Sequence, residues 1–196
     1  MRAMGKKTVR FSCHHCGHCC TDVVCLPTPW DVIRIARATG LHPSIFLEFL
    51  TPDEITGVDK SDPTWLEFGD RRYLMAIRRD IRTGCYFRDR RTKRCAVYEH
   101  RPILCRLYPL KLHESRSGEF RAFSVHGNGV GCPRHRDGTM ECAPVYALWL
   151  EDCLHQEDYD TLVAVFNRKR YADKRPEDFI GMFVQEAPCP SSATEA

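Results

Sequence analysis

Cys13-His14-His15-Cys16-Gly17-His18-Cys19-Cys20 is the segment of this 196-residue chain whose residue types and spacing are best suited to chemistry. Two residues between successive cysteines let neighbouring thiolates wrap one metal centre while the intervening amides point at the sulfurs. A single pair at that spacing serves a zinc knuckle or a redox couple. Three cysteines in a C-x2-C-x2-C register more often clasp an iron–sulfur cluster. Gly17 relieves the steric cost of so tight a loop. Cys20 adjoins Cys19, so its side chain diverges and is free to face a second centre or the core. The fourth thiolate of the first centre then comes from elsewhere in the chain. His14, His15 and His18 lie in the same loop, and beside so many thiols they read as exposed or supporting groups rather than ligands.

Two other stretches invite a chemical reading. His126-Gly127-Asn128-Gly129-Val130-Gly131 has G-x-G-x-G spacing, but Cys132-Pro133 interrupts it where a phosphate-binding helix would begin. It therefore reads as a turn delivering Cys132, with glycine amides free to donate to sulfur, rather than as a dinucleotide or S-adenosylmethionine loop. Between Arg78 and Arg94, eight Arg and Lys stand against Asp80 and Asp89 alone. This is a solvated basic hairpin and a candidate contact for an acidic protein partner. The net charge of the whole chain is only +3, so nucleic acid is not expected. No Ser-His-Asp, Walker or zinc-protease motif is present.

Composition sets the background. At 43% hydrophobic and 28% charged residues the chain has enough apolar material for a core, which excludes a disordered or collagen-like protein. A chain this long can bury that core without a disulfide scaffold. The basic start runs into Phe11-Ser12-Cys13-His14 rather than an apolar stretch, and no apolar run approaches the roughly 20 residues of a membrane span. The expectation is a cytoplasmic protein without membrane association. Thiols stay reduced there, which favours metal ligation over disulfides for the twelve cysteines.

The elements that must position these residues are short. Thr28 as cap, Pro29 at the first helical position, Asp31 in the first turn and Gly40 as stop predict a helix over 29–39. A second short helix is expected from Ser44 through Leu50, ended by Thr51-Pro52-Asp53. Residues 65–68 and 73–77 around Gly69-Asp70-Arg71-Arg72 predict a hairpin, and residues 85–87 and 95–98 around the basic turn predict another. Arg101-Pro102 forces an extended residue before a helical turn that Pro109 stops. One more strand is expected over 119–125, and helices over 145–154, 159–171 and 176–184. The fold class is α+β: a small, loop-rich, metal-stapled domain with helices around short antiparallel strands and a helical C-terminal segment. The expected divisions are a basic arm at 1–12, the cysteine-cluster domain at 13–135, helices packed back on it at 136–187, and a tail at 188–196.

Cys13–Cys20 resembles the CxxCxxCC signature of the YkgJ-like cysteine-cluster family, whose members are described as zinc- or iron-chelating. The likeness continues through Leu26-Pro27-Thr28-Pro29-Trp30-Asp31, Cys85-Tyr86-Phe87, the run Cys95-Ala96-Val97-Tyr98-Glu99-His100-Arg101-Pro102-Ile103-Leu104-Cys105-Arg106-Leu107-Tyr108-Pro109, and Gly131-Cys132-Pro133. The resemblance implies eight metal ligands: Cys13, Cys16, Cys19, Cys20, Cys85, Cys95, Cys105 and Cys132. Eight thiolates suit two four-thiolate sites, one [4Fe-4S] cluster plus one zinc, or a sulfur-bridged multinuclear centre. Arg101, Arg106 and Tyr108 belong to the shared pattern. They are expected to support the cofactor from outside its ligands, the arginines by donating to thiolates or an anionic substrate, or through an ion pair that fixes the turn. Cys25, Cys142, Cys153 and Cys189 read as small buried hydrophobes. The expected function is metal binding by an iron–sulfur centre, [4Fe-4S] foremost, with room for a second metal site and a redox or cofactor-dependent role. The alternatives are a zinc-stapled interaction module without catalysis and, because flagellin lysine N-methylase carries a similar cluster, a methyltransferase.

Overall fold

The computed structural model describes residues 6–125, 135–169 and 173–184. Cys132 with its glycine-rich approach, and Cys189 with the tail from 188 onward, lie outside the described residues. The architecture is α+β, with short antiparallel strands and helices concentrated toward the C-terminus.

β1 (Thr8–Val9) leads into the cysteine loop, which ends in the single turn α1 (Cys19–Asp22). α2 (Pro29–Thr39) is built by its termini. The Thr28 side chain and the Asp31 carboxylate satisfy each other's backbone amides in a capping box, and Gly40 closes the helix in a left-handed conformation at φ 69°. α3 (Pro43–Phe46) is shorter than the sequence implies, because Leu47–Leu50 form the strand β2. An apolar run this short has no decisive periodicity, and the pairing partner settles its state. That partner is β4 (Arg71–Ile77), which carries β2 on one edge and β3 (Leu66–Phe68) on the other.

β5 (Arg79–Asp80) and β6 (Gly84–Cys85) form a small hairpin that takes Cys85 away from the expected pairing with residues 95–98. Of that expected hairpin there remain an Arg88–Cys95 bridge and a turn held by Asp89 N–H to the Arg94 carbonyl at 2.9 Å. A 3-10 turn at Tyr98–His100 precedes α4 (Ile103–Leu107), and the extended Arg101 (ψ 151°) separates them. β7 (Leu110–Glu114) pairs with β8 (Phe120–Val125); its Leu110 and Leu112 alternate with Lys111 and His113 and pack against the smaller core. β9 (Met140–Glu141) returns to β1.

The two helices expected over 145–154 and 159–171 are one, α5 (Cys142–Arg168), about 40 Å long at 1.5 Å per residue. Pro144 falls in its first turn, where a missing N–H costs no helical bond, and His155-Gln156-Glu157-Asp158 contains no helix breaker. α6 (Pro176–Ile180) follows. α5 links two cores. Its first turns cover Val9, Ile103, Leu107 and Phe123 with Cys142 and Val145. Its last turns place Tyr159, Val163 and Phe166 against Val32, Ile35, Phe46, Phe68 and Phe179. Cys25 is buried in this larger core, and Cys85, Cys95 and Cys105 pack on its margin.

Candidate metal centre

The cysteine loop folds tightly through two positive-φ residues, His15 at 54° and Gly17 at 74°. The Cys20 amide then donates to the Gly17 carbonyl at 3.1 Å and the Thr21 amide to the His18 carbonyl at 2.9 Å, which starts α1 and stands Cys19 and Cys20 on its first turn. Two glycines let the neighbouring chain close over this loop. A Cβ on Gly17 would overlap the Lys93 carbonyl oxygen, and a Cβ on Gly84 would overlap the Cys20 carbonyl oxygen. The Arg79 guanidinium also donates to the Thr21 carbonyl. Segments remote in sequence are thus brought against the loop by backbone approach.

Asp31 performs the corresponding task for α4. Fully buried, it completes the α2 capping box, binds the Arg34 guanidinium at 2.5 Å, and accepts the Ile103 amide at 3.1 Å, at the start of α4. Arg34 donates in addition to the Arg101 carbonyl at 3.0 Å. The helix that carries Cys105 is therefore anchored on the helix that begins four residues after Cys25.

The result is a pocket of about 170 Å³ whose wall carries Cys19, Cys20, Cys25, Cys85, Cys95 and Cys105. Apolar groups such as Val23, Ile77, Phe87 and Val97 fill the gaps, and Arg101 is the one charged residue among its described lining. One water needs roughly 10–15 Å³, so a single bare ion would leave most of this volume unfilled. A smaller cleft of about 50 Å³ adjoins it and adds Cys13 and Cys16, with His14, His15 and His135 at its rim. Cys19, Cys20, Cys95, Cys105, Arg101 and Tyr108 line both spaces. Among the described residues no three Cys, His, Asp or Glu side chains already close on one coordination point; the sulfurs line a wall.

The thiols are not equivalent. Hydrogen bonding from Cys20, with help from the Arg101 charge, lowers Cys19 and Cys95 to about 7, while Cys20 itself is pushed strongly up. Burial raises Cys85 to about 12. Cys25 is raised by its contact with Cys105, at a sulfur–sulfur distance of 3.4 Å, and then by burial. Cys20 is thus hydrogen-bonded with Cys19 and Cys95, and Cys25 with Cys105, while Cys85 feels charge from both Cys95 and Cys105. Arg101 is held in place by stacking 3.6 Å over the Tyr98 ring and donating to the Tyr98 carbonyl at 2.8 Å. A set of soft sulfur donors without a lining carboxylate, beside one guanidinium, fits a thiophilic metal and disfavours hard cations.

The histidines have other occupations. His14 stacks on His135 at 3.7 Å and pairs with Asp137 at 2.9 Å, while His15 stacks on Tyr98 at 3.7 Å; both are exposed. His18 is exposed as well. Arg101 and Tyr108 line both spaces, whereas Arg106 is exposed and lines neither. In the basic stretch Arg78, Arg79 and Arg88 bind the carbonyls of Ser44, Thr21 and Thr83, leaving Arg82, Arg90, Arg91, Lys93 and Arg94 exposed. Cys25 is buried in the larger core, as its sequence reading has it; that it also lines the pocket, and the Asp31–Arg34 anchor, are announced by no motif. The available signal was local: only two residues separate Cys25 from the Thr28 cap, so it cannot travel far from the Cys20 loop.

A family model named CxxCxxCC, described as a "putative zinc- or iron-chelating domain", matches residues 12–133. No curated protein and no solved structure matches the chain significantly.

Proposed function

The chain belongs to the CxxCxxCC family, and from that premise we propose that it is a metal-binding protein whose clustered cysteines hold an iron–sulfur centre, [4Fe-4S] foremost, with room for a second metal site, for a redox or cofactor-dependent role. The observation that carries this reading is the 170 Å³ pocket with six thiols on its wall. A multinuclear cluster uses that volume and several sulfurs at once; a lone zinc takes four ligands and needs little space. Cys13, Cys16, Cys19, Cys20, Cys85, Cys95 and Cys105, with Cys132 outside the described residues, are the residues to hold metal. When bound, an iron–sulfur cluster supplies one-electron chemistry or an open iron for a substrate atom.

The protein's own groups prepare the site. Arg101 offsets the negative charge that accumulates as thiols lose protons to ligation, and Tyr108 helps close the wall between the two spaces. The apolar lining limits water, which strengthens every electrostatic contact inside. Anaerobic purification followed by iron, zinc and labile-sulfide assay and Mössbauer spectroscopy tests the reading. Iron and sulfide in near-equal amounts are expected; zinc alone would overturn it.

A second reading has its own support. The exposed Arg82, Arg90, Arg91, Lys93 and Arg94 belong to the stretch whose Lys93 carbonyl lies directly over Gly17. A zinc-stapled module presenting this basic face to an acidic protein would yield a colourless protein whose partner binding weakens with salt.

A further inference from the structure

We propose that Cys25 is itself a metal ligand, acting with Cys85 and Cys105 on the inner side of the pocket. The inference rests on the metal-centre reading, concerns the second, single-ion site beside the cluster, and adds to it a cysteine outside the family's signature pattern.

The geometry is direct. The Cys25 and Cys105 sulfurs are 3.4 Å apart, too far for a disulfide at about 2.05 Å. Two sulfurs sharing one tetrahedral ion, each about 2.3 Å from it, stand about 3.8 Å apart. The observed separation is within a few tenths of an ångström of that value, so a shared ion requires only a small opening of the pair. Cys85 lines the same pocket and is the third sulfur of the proposed set; ligation has to draw it in, since no three described side chains already close on one point.

Both sides of the pair are held by well-defined structure. The Cys25 carbonyl accepts the Ile77 amide at 2.9 Å, pinning it to the end of β4. Asp31 joins the α2 capping box, just beyond Cys25, to the Ile103 amide, just before Cys105. Such preorganisation keeps two thiols together that would otherwise separate along an eighty-residue loop. A buried cysteine is most often a small hydrophobe, and Cys142 illustrates that case: it is 2% exposed in the second core, whose described residues include no other cysteine. Cys25, 8% exposed, is also buried, yet its neighbours include the Cys105 sulfur on a pocket wall.

The test uses the full wild-type chain, metal-free and then loaded anaerobically with an NMR-active cadmium isotope. Scalar coupling from one cadmium ion to the β-protons of both Cys25 and Cys105 is expected, with none to Cys142. Coupling to Cys85 and Cys105 with Cys25 silent overturns this inference and leaves the metal-centre reading standing. No cadmium uptake through cysteine overturns both. As a second measurement, cobalt-loaded Cys25→Ala should lose about one quarter of the thiolate charge-transfer absorbance of one four-thiolate site, while Cys142→Ala keeps it. Unchanged absorbance in Cys25→Ala counts against the proposal in the same way.

Discussion

Asp152 shows how an individual residue carries an electrostatic cost that no motif announces. It is 6% exposed on α5, one carboxylate oxygen has no hydrogen-bond partner, and Asp31 and Glu151 add negative charge nearby. Burial chiefly, then those two charges, raises it from an ordinary 3.8 to about 6. Between about pH 4 and 6 the unfolded chain has given up this proton while the folded chain retains it. Stability therefore falls as pH rises through that window, and the penalty is complete above about 6. Asp152→Asn removes the penalty. Urea titrations should show it about 1–2 kcal/mol more stable than wild type at pH 7.5, with no gain near pH 4. The cysteines obey the same physics with opposite outcomes at adjacent positions: Cys19 is lowered and Cys20 raised because one proton is shared between them.

Elements position the sulfurs, and they do so through backbone approach and one buried carboxylate. Gly17→Ala and Gly84→Ala each combine a positive φ with a Cβ that meets a carbonyl oxygen. Each should cost about 3 kcal/mol or more in urea unfolding, because backbone has to move. Gly57→Ala, at φ 82° with open space around it, should cost only about 1–2 kcal/mol. Equal losses in the three variants would show that conformational strain alone acts. Asp31→Ala removes the capping box, the Arg34 partner and the Ile103 acceptor together. A loss of about 3–5 kcal/mol is expected, together with weaker metal uptake through displacement of Cys105, checked by urea unfolding and competition with a chromophoric chelator.

At the scale of the whole molecule, the large core includes Ile35, Phe46, Leu66, Phe166 and Phe179, none of which lines either sulfur-walled space. Metal removal should loosen the sulfur-walled site and spare these core residues. Hydrogen exchange after anaerobic chelation is expected to rise in residues 13–20 and 84–95 while 159–166 remain protected. Uniform loss of protection would mean that the metal holds the entire fold. Among the described residues no helix is long and apolar enough to cross a membrane.

Much of this protein is legible residue by residue along the chain. Thr28, Pro29, Asp31 and Gly40 specify α2 because helix termini are satisfied by nearest neighbours. The three-residue spacing of Cys13, Cys16 and Cys19 dictates a tight sulfur-rich loop for the same local reason. Leu47–Leu50 become a strand because β4 lies alongside, and α5 runs unbroken because two cores support its length, neither of which is encoded nearby. The same distinction governs the site. The thiols themselves are read directly from residue type, whereas the meeting of Cys25 with Cys105 depends on Asp31 bridging α2 to the start of α4. Cys25 and Cys142 look alike as letters; one faces sulfur and the other hydrocarbon because burial is a property of the neighbours that tertiary packing supplies.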